Sequence, residues 1–521
     1  MASSKQVLQH HADVAILGSG FAGSILALVL DKIGLKAVIV DKVTHPRFAI
    51  GESSTPIGNM ILRDLAARYN LPQLAPLTTY GTWRATYPDL INGRKRGFSY
   101  FHHKPGIPFN PMPDHANELL VTASTDNERC DTHWLRADVD HFLIKEVKNA
   151  NIPVFENTLI ESFQQQSTKS SPSEKGPTWR IKGKQHQQQI DIEATFVVDA
   201  TGAAGLIPNH LHLPDITAEL ETNSHAIFSH FEQLPAWHDA FTALGVNTKD
   251  HPYCCDDAAV HHCIENGWMW TLRFIDGRAS AGFVLDSKHH RMNYSVSPSA
   301  AWQTLIAQYP TLAQLYSGAK LANTPGKLYR TGRLQRLWAQ AAGNNWALLP
   351  HTAGFIDPLH STGIAHSLSG IERLAQLFAT HWGSPNLPVH LETYSSKIVR
   401  ELRCIDLLVA GCYPGFTQFE LLTSYTMLYF AAAITYEERR MDAYNTGAAF
   451  HHDFLCVDEE PLTTVIKQSY ASLKKITAAT PSARDIERFR EDVKLAIAPY
   501  NTAGLFNPRI NNMYEYTAAD L

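Results

Sequence analysis

The chain lacks most of the features that would place it outside an aqueous, reducing setting. Its seven cysteines are odd in number and form no C-x-x-C pair. A disulfide framework is therefore not expected, and a reducing compartment fits better. No apolar run reaches the ~20 residues that a bilayer needs. The longest, Leu421 to Tyr436, is broken by Thr423, Ser424, Thr426 and Thr435. The opening stretch MASSKQVLQHH has no basic start followed by an apolar core, so no signal peptide is expected and a cytoplasmic location is. Basic residues are not in excess: 45 Lys+Arg against 50 Asp+Glu leave a net charge of −5. This argues against a nucleic-acid-binding surface. Charged residues are sparse at 18%, while hydrophobic residues make up 44%, which excludes general disorder. Metal signals are also missing. Cys254-Cys255 and His261-His262-Cys263 do not have the short ligand spacing of a structural zinc site. No His pair has the i,i+4 partner of an HExxH motif, so no metal is expected.

What is present starts at the N-terminus. Asp13 to Leu17 is an apolar run of strand length. Gly18-Ser-Gly20-Phe-Ala-Gly23 follows, then a helical pattern from Ser24 to Ile33 and a second apolar run, Ala37 to Val40, ending in Asp41. This is the strand–GxGxxG–helix–strand–acid order of a dinucleotide fold. Gly18 makes the tight turn, Gly20 lets the backbone approach a pyrophosphate, and Gly23 allows close packing of helix on strand. Asp41 stands where a carboxylate would accept ribose hydroxyls, about 20 residues on. The acid disfavours NADP without separating NAD from FAD.

No second GxGxxG unit appears. Instead Thr44-His-Pro-Arg47 leads to Gly51-Glu-Ser-Ser-Thr-Pro56. Further on come the strand-like Phe196-Val-Val-Asp199-Ala-Thr-Gly202 and the turn Gly354-Phe-Ile-Asp357-Pro-Leu-His-Ser-Thr-Gly363, ahead of a helical stretch. Amides near Thr362 and Gly363 would face a cavity at a helix start, suited to a flavin edge or a small anion.

In these segments the sequence resembles the flavin-dependent halogenases, a branch of the FAD monooxygenases with a hydroxybenzoate-hydroxylase-like fold. The matches run in order from about residue 12 to 375: GxGxxG, GESSTP, Leu135-Arg136-Ala-Asp138-Val-Asp140, VVDATG, the stretch His261 to Trp270, and GFIDPLHSTG. The resemblance implies an α/β fold: a Rossmann-type FAD-binding domain, an inserted antiparallel-sheet substrate domain and a helical C-terminal region. The expected division is 1–80, 126–215 and 340–385 for FAD, 81–125 and 216–339 for the substrate sheet, and 386–521 for the helices. Gly18, Gly20, Gly23, Asp41, Arg47, Arg136, Asp199, Gly202, Asp357 and Gly363 are the candidate FAD-binding residues. The backbone of Thr362 and Gly363 would hold chloride or bromide.

Individual positions sharpen the resemblance or depart from it. Trp268-Met-Trp270-Thr-Leu272-Arg273 matches both tryptophans of the family's WxWxIP motif, a wall between flavin and substrate, but has Arg273 in place of Pro. Read without the family, the two tryptophans share one face of a strand and can equally be core. Arg94-Lys95-Arg96-Gly97-Phe98 fits the family's Lys-x-Gly segment and makes Lys95 the candidate catalytic lysine; the alternative is a solvated basic turn. Ser361-Thr362-Gly363 matches the STG turn of tryptophan halogenases, yet His360 stands where those enzymes place a Glu. That argues against tryptophan as substrate and leaves His360 as a base for an acidic ring or as a packing residue. His351 replaces the Asp that usually meets the ribityl chain.

The implied reaction is halogenation of an electron-rich phenol-, pyrrole- or indole-like molecule, free or carrier-bound. It uses FAD supplied as FADH2 by a separate flavin reductase, with O2 and a halide, through a C4a-hydroperoxyflavin and hypohalous acid. The alternative is a FAD-dependent hydroxylase, or another flavin oxidoreductase that uses no halide. The many C-terminal aromatics, from Tyr413 to Phe454, are expected to be core in the main, with a few lining a flat cleft.

Overall fold

A computed structural model describes residues 7–112, 114–166, 178–186, 188–245 and 248–515. The first apolar run is the buried end of a strand, Leu8–Leu17, in the middle of a sheet. It pairs in parallel with Ala37–Val40 on one side and Gln188–Asp199 on the other, with Leu17 opposite Val40 and Asp199. Val154–Phe155 and Trp346–Leu348 extend the parallel order outward. Strands covered on both faces have no solvated side, so they read as continuous apolar runs and not as alternations. The carboxyl ends of the three central strands meet at one edge. Helix Phe21–Lys32 starts there, which is where open parallel sheets bind their ligands. The Gln-rich stretch forms an antiparallel hairpin, Thr158–Gln166 with Thr178–Gln185; its expected loop, 167–177, lies outside the described residues.

Among the described residues, the second sheet has nine strands. Its centre runs Ser224–Glu232, Ala279–Asp286, Gly267–Arg273, Ala259–Ile264, Gly97–His102 and Glu118–Thr122. Period-two alternation splits its side chains between two cores. Phe101, Met269 and Phe283 point into a smaller core with Trp237 and Trp302. Tyr100, Trp268, Trp270 and Val284 point into the main core, which continues through the nucleotide sheet and the C-terminal helices. A short sheet joins the two regions: Asn92–Lys95 pairs antiparallel with Asp131–Trp134, placing Lys95 opposite Asp131.

The C-terminal region is mainly helical. Helix Met427–Thr446 packs on helix Pro56–Arg68. It is buried at every residue from Met427 to Glu437, so no polar face shows in its sequence there. Ser482 and Asp485 form a capping box at the start of helix Ala483–Ile497, satisfying otherwise free amides. The chain then returns to the second sheet, where Met513–Tyr514 lies parallel to Glu118–Thr122. Among the described residues, no helix is long and apolar enough to cross a membrane.

Candidate active site

The glycine turn is shaped for a bound phosphate group. Gly18 sits at φ +104°, and a Cβ there would lie 2.7 Å from the Ala200 carbonyl. A Cβ on Gly23 would lie 2.1 Å from the carbonyl of Gly18, so the helix can lie on the strand only if that residue is glycine. Gly20 is different. A Cβ there would make only ordinary contacts, with Arg136 Nη2 at 3.6 Å, Asp140 Oδ2 at 3.6 Å and Arg47 Nη2 at 3.8 Å. Two guanidinium groups thus converge on the helix start, and Arg47 Nε and His45 Nδ1 are buried without a hydrogen-bond partner. Unpaired donors beside a helix N-terminus suit a pyrophosphate. The residues present therefore fit the diphosphate of FAD.

The acids of this end hold the turn in place. Asp41 Oδ2 accepts from Ser19 N at 2.8 Å and Ser19 Oγ at 2.7 Å. Arg136 donates to both oxygens of Asp140, each at 2.9 Å, and to the carbonyls of Ile50 and Gly51. It thereby clamps the GESSTP loop to the start of the first helix, whose Phe21 N donates to Asp140 Oδ1. Asp199 is fully engaged by its own chain: Thr201 N and Oγ1 donate to Oδ1, and Ile207 N donates to Oδ2. Burial pushes its carboxyl pKa up. Asp199 thus shapes the Gly202 turn from within, and a Cβ on Gly202 would sit 3.0 Å from His351.

The GFIDPLHSTG segment closes the other side. Ser361 adopts the left-handed conformation at φ +52° just before the 20-residue helix Thr362–His381. His351, Asp357, Thr362, Gly363 and His366 line one cavity of about 20 Å³. That is about the space for a single water-sized particle. The Asp357 carboxylate accepts from Tyr413 Oη at 2.7 Å and Ser224 Oγ at 3.1 Å. Burial raises its pKa to about 6.

Deeper in, the segments meet around an aromatic cluster. Lys95 is 0% exposed. Its Nζ donates to the Ser54 carbonyl at 2.5 Å and lies 4.1 Å over the Phe98 ring. Ser54 Oγ donates to Asn59 Oδ1, and Asn59 Nδ2 donates to Asp131 Oδ1 at 2.6 Å. Burial pushes the Lys95 amine down and the Asp131 carboxyl up, while Asp131 and Glu437 favour the charged amine. Phe98 packs edge-on to Tyr429 and Phe430. Tyr429 stacks on His360 at 4.2 Å and donates its hydroxyl to the His360 carbonyl. Tyr100 stacks on His261 at 4.4 Å, and His261 lies 5.1 Å from Trp268. His360 is buried, and burial lowers its pKa to about 3. It is a neutral ring whose Nδ1 has no hydrogen-bond partner, and the Tyr100 hydroxyl has none either. Trp268 and Trp270 stand side by side at 6.1 Å, with Trp270 Nε1 donating to Ser280 Oγ. Arg273 points to the opposite face of that strand and donates to the carbonyls of Leu234 and Pro235. Its charge is therefore kept away from the tryptophan pair.

Residues 136–414, more than half of the chain, match the sequence profile of the tryptophan halogenases. The chain belongs to this family. The halogenase is similar to monodechloroaminopyrrolnitrin halogenase PrnC of Pseudomonas fluorescens, with 25% identity over 500 residues, covering 91% of this chain and 83% of that one. It is similar to tetracycline 7-halogenase of Kitasatospora aureofaciens, with 24% identity over 458 residues, covering 86% and 78%. Its fold matches the crystal structure of halogenase PltM in complex with phloroglucinol and FAD, at a TM-score of 0.83 and 23% identity, covering 98% of this chain and 100% of that one. The protein is a flavin-dependent oxidoreductase of the halogenase type, and FAD is its cofactor.

The halogenase thus brings together two groups of predicted residues. Gly18, Gly20, Gly23, Asp41, Arg47 and Arg136 gather at the helix start. Lys95, His360 and Trp268 gather around the aromatic cluster. Asn59, Asp131, Asp140, Tyr429 and Glu437 were not singled out from the sequence. Each acts through a partner remote in the chain, except Asp140, which stands one helical turn after Arg136 and is legible as its i,i+4 partner.

Proposed function

We propose that this enzyme halogenates a free, electron-rich aromatic of the phenol class, taking FADH2 from a separate reductase together with O2 and chloride or bromide. Reduced FAD, when bound, supplies the O2-derived oxidising power that converts halide to an electrophilic halogen. The chain's own residues do the rest. Arg47, Arg136 and the first-helix amides hold the diphosphate, and Asp41 fixes the loop that meets the ribose. The Thr362 and Gly363 amides hold the halide, a reading supported by the single-ion size of the cavity they line. Trp268 and Trp270 wall the ring being modified away from the flavin side. Lys95 receives the oxidised halogen, either by donating a hydrogen bond to hypohalous acid or as an amine that carries the halogen, and presents it to the ring. Loss of water around its amine raises the neutral, nucleophilic fraction. His360 stays neutral and acts as a flat partner for Tyr429, with its free Nδ1 available to a substrate hydroxyl.

The observation that carries this reading is Lys95, wholly buried with its amine over Phe98 at the edge of the aromatic cluster. A phenol is favoured because that cluster is apolar yet contains polar atoms without a hydrogen-bond partner on Tyr100, His261, Trp268 and His360. A ring hydroxyl that reached one of them would gain a hydrogen bond there. The test is a reaction with FAD, a flavin reductase, NADH and bromide over a panel of phenols, phloroglucinol included, and indoles. A bromine isotope pattern on a phenol is expected by mass spectrometry. A gain of one oxygen with no bromine would establish a hydroxylase instead.

A further inference from the structure

A second cluster of polar side chains lies on a part of the antiparallel sheet that the site above does not use. Glu118 opens the strand Glu118–Thr122 and is 0% exposed. His115 precedes it in a left-handed turn at φ +54°. His251 comes from the segment after helix Trp237–Ala243. Both rings converge on one carboxylate oxygen: Glu118 Oε2 lies 3.1 Å from His115 Nδ1 and 3.2 Å from His251 Nε2. The three donor atoms lie within 4.8 Å of one another. Zinc bound tetrahedrally to N and O at ~2.0–2.1 Å sets its ligand atoms about 3.3 Å apart, close to the two short separations here.

Two further observations point to an ion. The second oxygen of Glu118, Oε1, is buried and has no hydrogen-bond partner. The far nitrogen of His115, Nε2, lies 2.8 Å from Asp250 Oδ2. A metal-bound imidazole commonly donates its other N–H to a carboxylate, which fixes its tautomer and orientation. Without an ion, Glu118 Oε1 would stay unsatisfied.

We infer that His115, Glu118 and His251 bind one divalent zinc-class ion, with Asp250 orienting His115. Glu118 Oε1 or a water supplies the fourth position. The ion ties together segments that no regular hydrogen-bond ladder joins. The His115 carbonyl also accepts from Asn512 Nδ2, and the next residues, Met513–Tyr514, run beside Glu118–Thr122. The site is structural: it pins the loop before Glu118 and the segment around His251 at the edge where the chain terminus rejoins the sheet. It is independent of the halogenation reading.

The test uses the full-length protein, stripped with a chelator, incubated with zinc sulfate and desalted. Zinc is then counted per chain in the wild type, H251A and E118Q, with FAD binding followed by flavin absorbance. The wild type is expected to hold one zinc more than either variant, and H251A to bind FAD as the wild type does. Zinc should raise the Tm of the stripped wild type by several degrees and leave that of H251A unchanged. If E118Q does not fold, H251A alone decides. Equal zinc content in wild type and H251A, whether zero or more, overturns the site.

Discussion

The nucleotide turn and the enclosed aromatic cluster solve opposite problems. At the turn, two partly exposed guanidinium groups face buried acids close in the chain, Arg47 with Asp41 in one loop and Arg136 with Asp140 one helical turn on, and Ser19 from the first turn donates to Asp41. The cluster is buried, and the Lys95 ammonium within it is balanced by groups from remote parts of the chain: Ser54, Asp131 and Glu437. The first arrangement is built to meet a charged ligand. The second encloses one amine among flat apolar rings. The tryptophan strand lies beside the second, and substitutions on either side of it distinguish the two regions.

The largest effect is expected from Trp268→Ala. Truncating a Trp that is 1% exposed should cost about 3–5 kcal/mol of stability and open the wall. A urea titration reads the first, and the appearance of oxygenated product reads the second. A mutant that keeps full stability and yields only halogenated product would break the division.

Acidification should act mainly on the interior. Burial lowers the pKa of His261 to about 4, and of His133, His262 and His360 to about 3. The unfolded chain protonates these rings below about pH 6.5 and the folded chain does not, so stability falls as pH falls through that window. Asp357, raised to about 6, works the other way between about 6 and its ordinary carboxylate value, because there the folded state holds the extra proton. From about pH 7.5 to 6 the four histidines together should remove about 3 kcal/mol. Denaturant midpoints across that range check the sign.

Gly23→Ala should strike the nucleotide end alone. The new methyl meets the Gly18 carbonyl, so the helix must shift, at about 2–3 kcal/mol. FAD affinity should drop at least about tenfold, read by flavin fluorescence. Arg273→Ala, at the back of the tryptophan strand, should be the mildest. It removes two partly exposed hydrogen bonds and a 3.9 Å approach to Asp256, worth about 1–2 kcal/mol, and the halogenated-to-oxygenated product ratio should stay as in the wild type.

This contrast also explains what could be read in advance. The turn is written contiguously: a strand, three spaced glycines, a helix and an acid, each required by local geometry. GFIDPLHSTG is likewise one stretch, and its helix start and cavity follow from it. The alternation of Trp268 and Trp270 placed both on one face, but only the second sheet's pairing shows that this face looks into the main core. Lys95 stood out as a candidate in its segment, yet nothing in RKRG distinguishes a buried amine from a solvated turn. Its burial depends on Asp131 across a two-stranded ladder and on Glu437 in a helix buried on all sides. The His115–Glu118–His251 cluster escaped for the same reason, since its third member comes from a distant loop.

The proposed role of Lys95 is to hand oxidised halogen to the ring. The most direct measurement compares wild type and Lys95→Ala with reduced FAD, O2, bromide and a phenol substrate, alongside a small diketone that traps free hypobromous acid. The account predicts that ring bromination falls at least about a thousandfold while flavin oxidation and bromination of the trap continue. Ring bromination at the wild-type rate in the Lys95→Ala protein would contradict it.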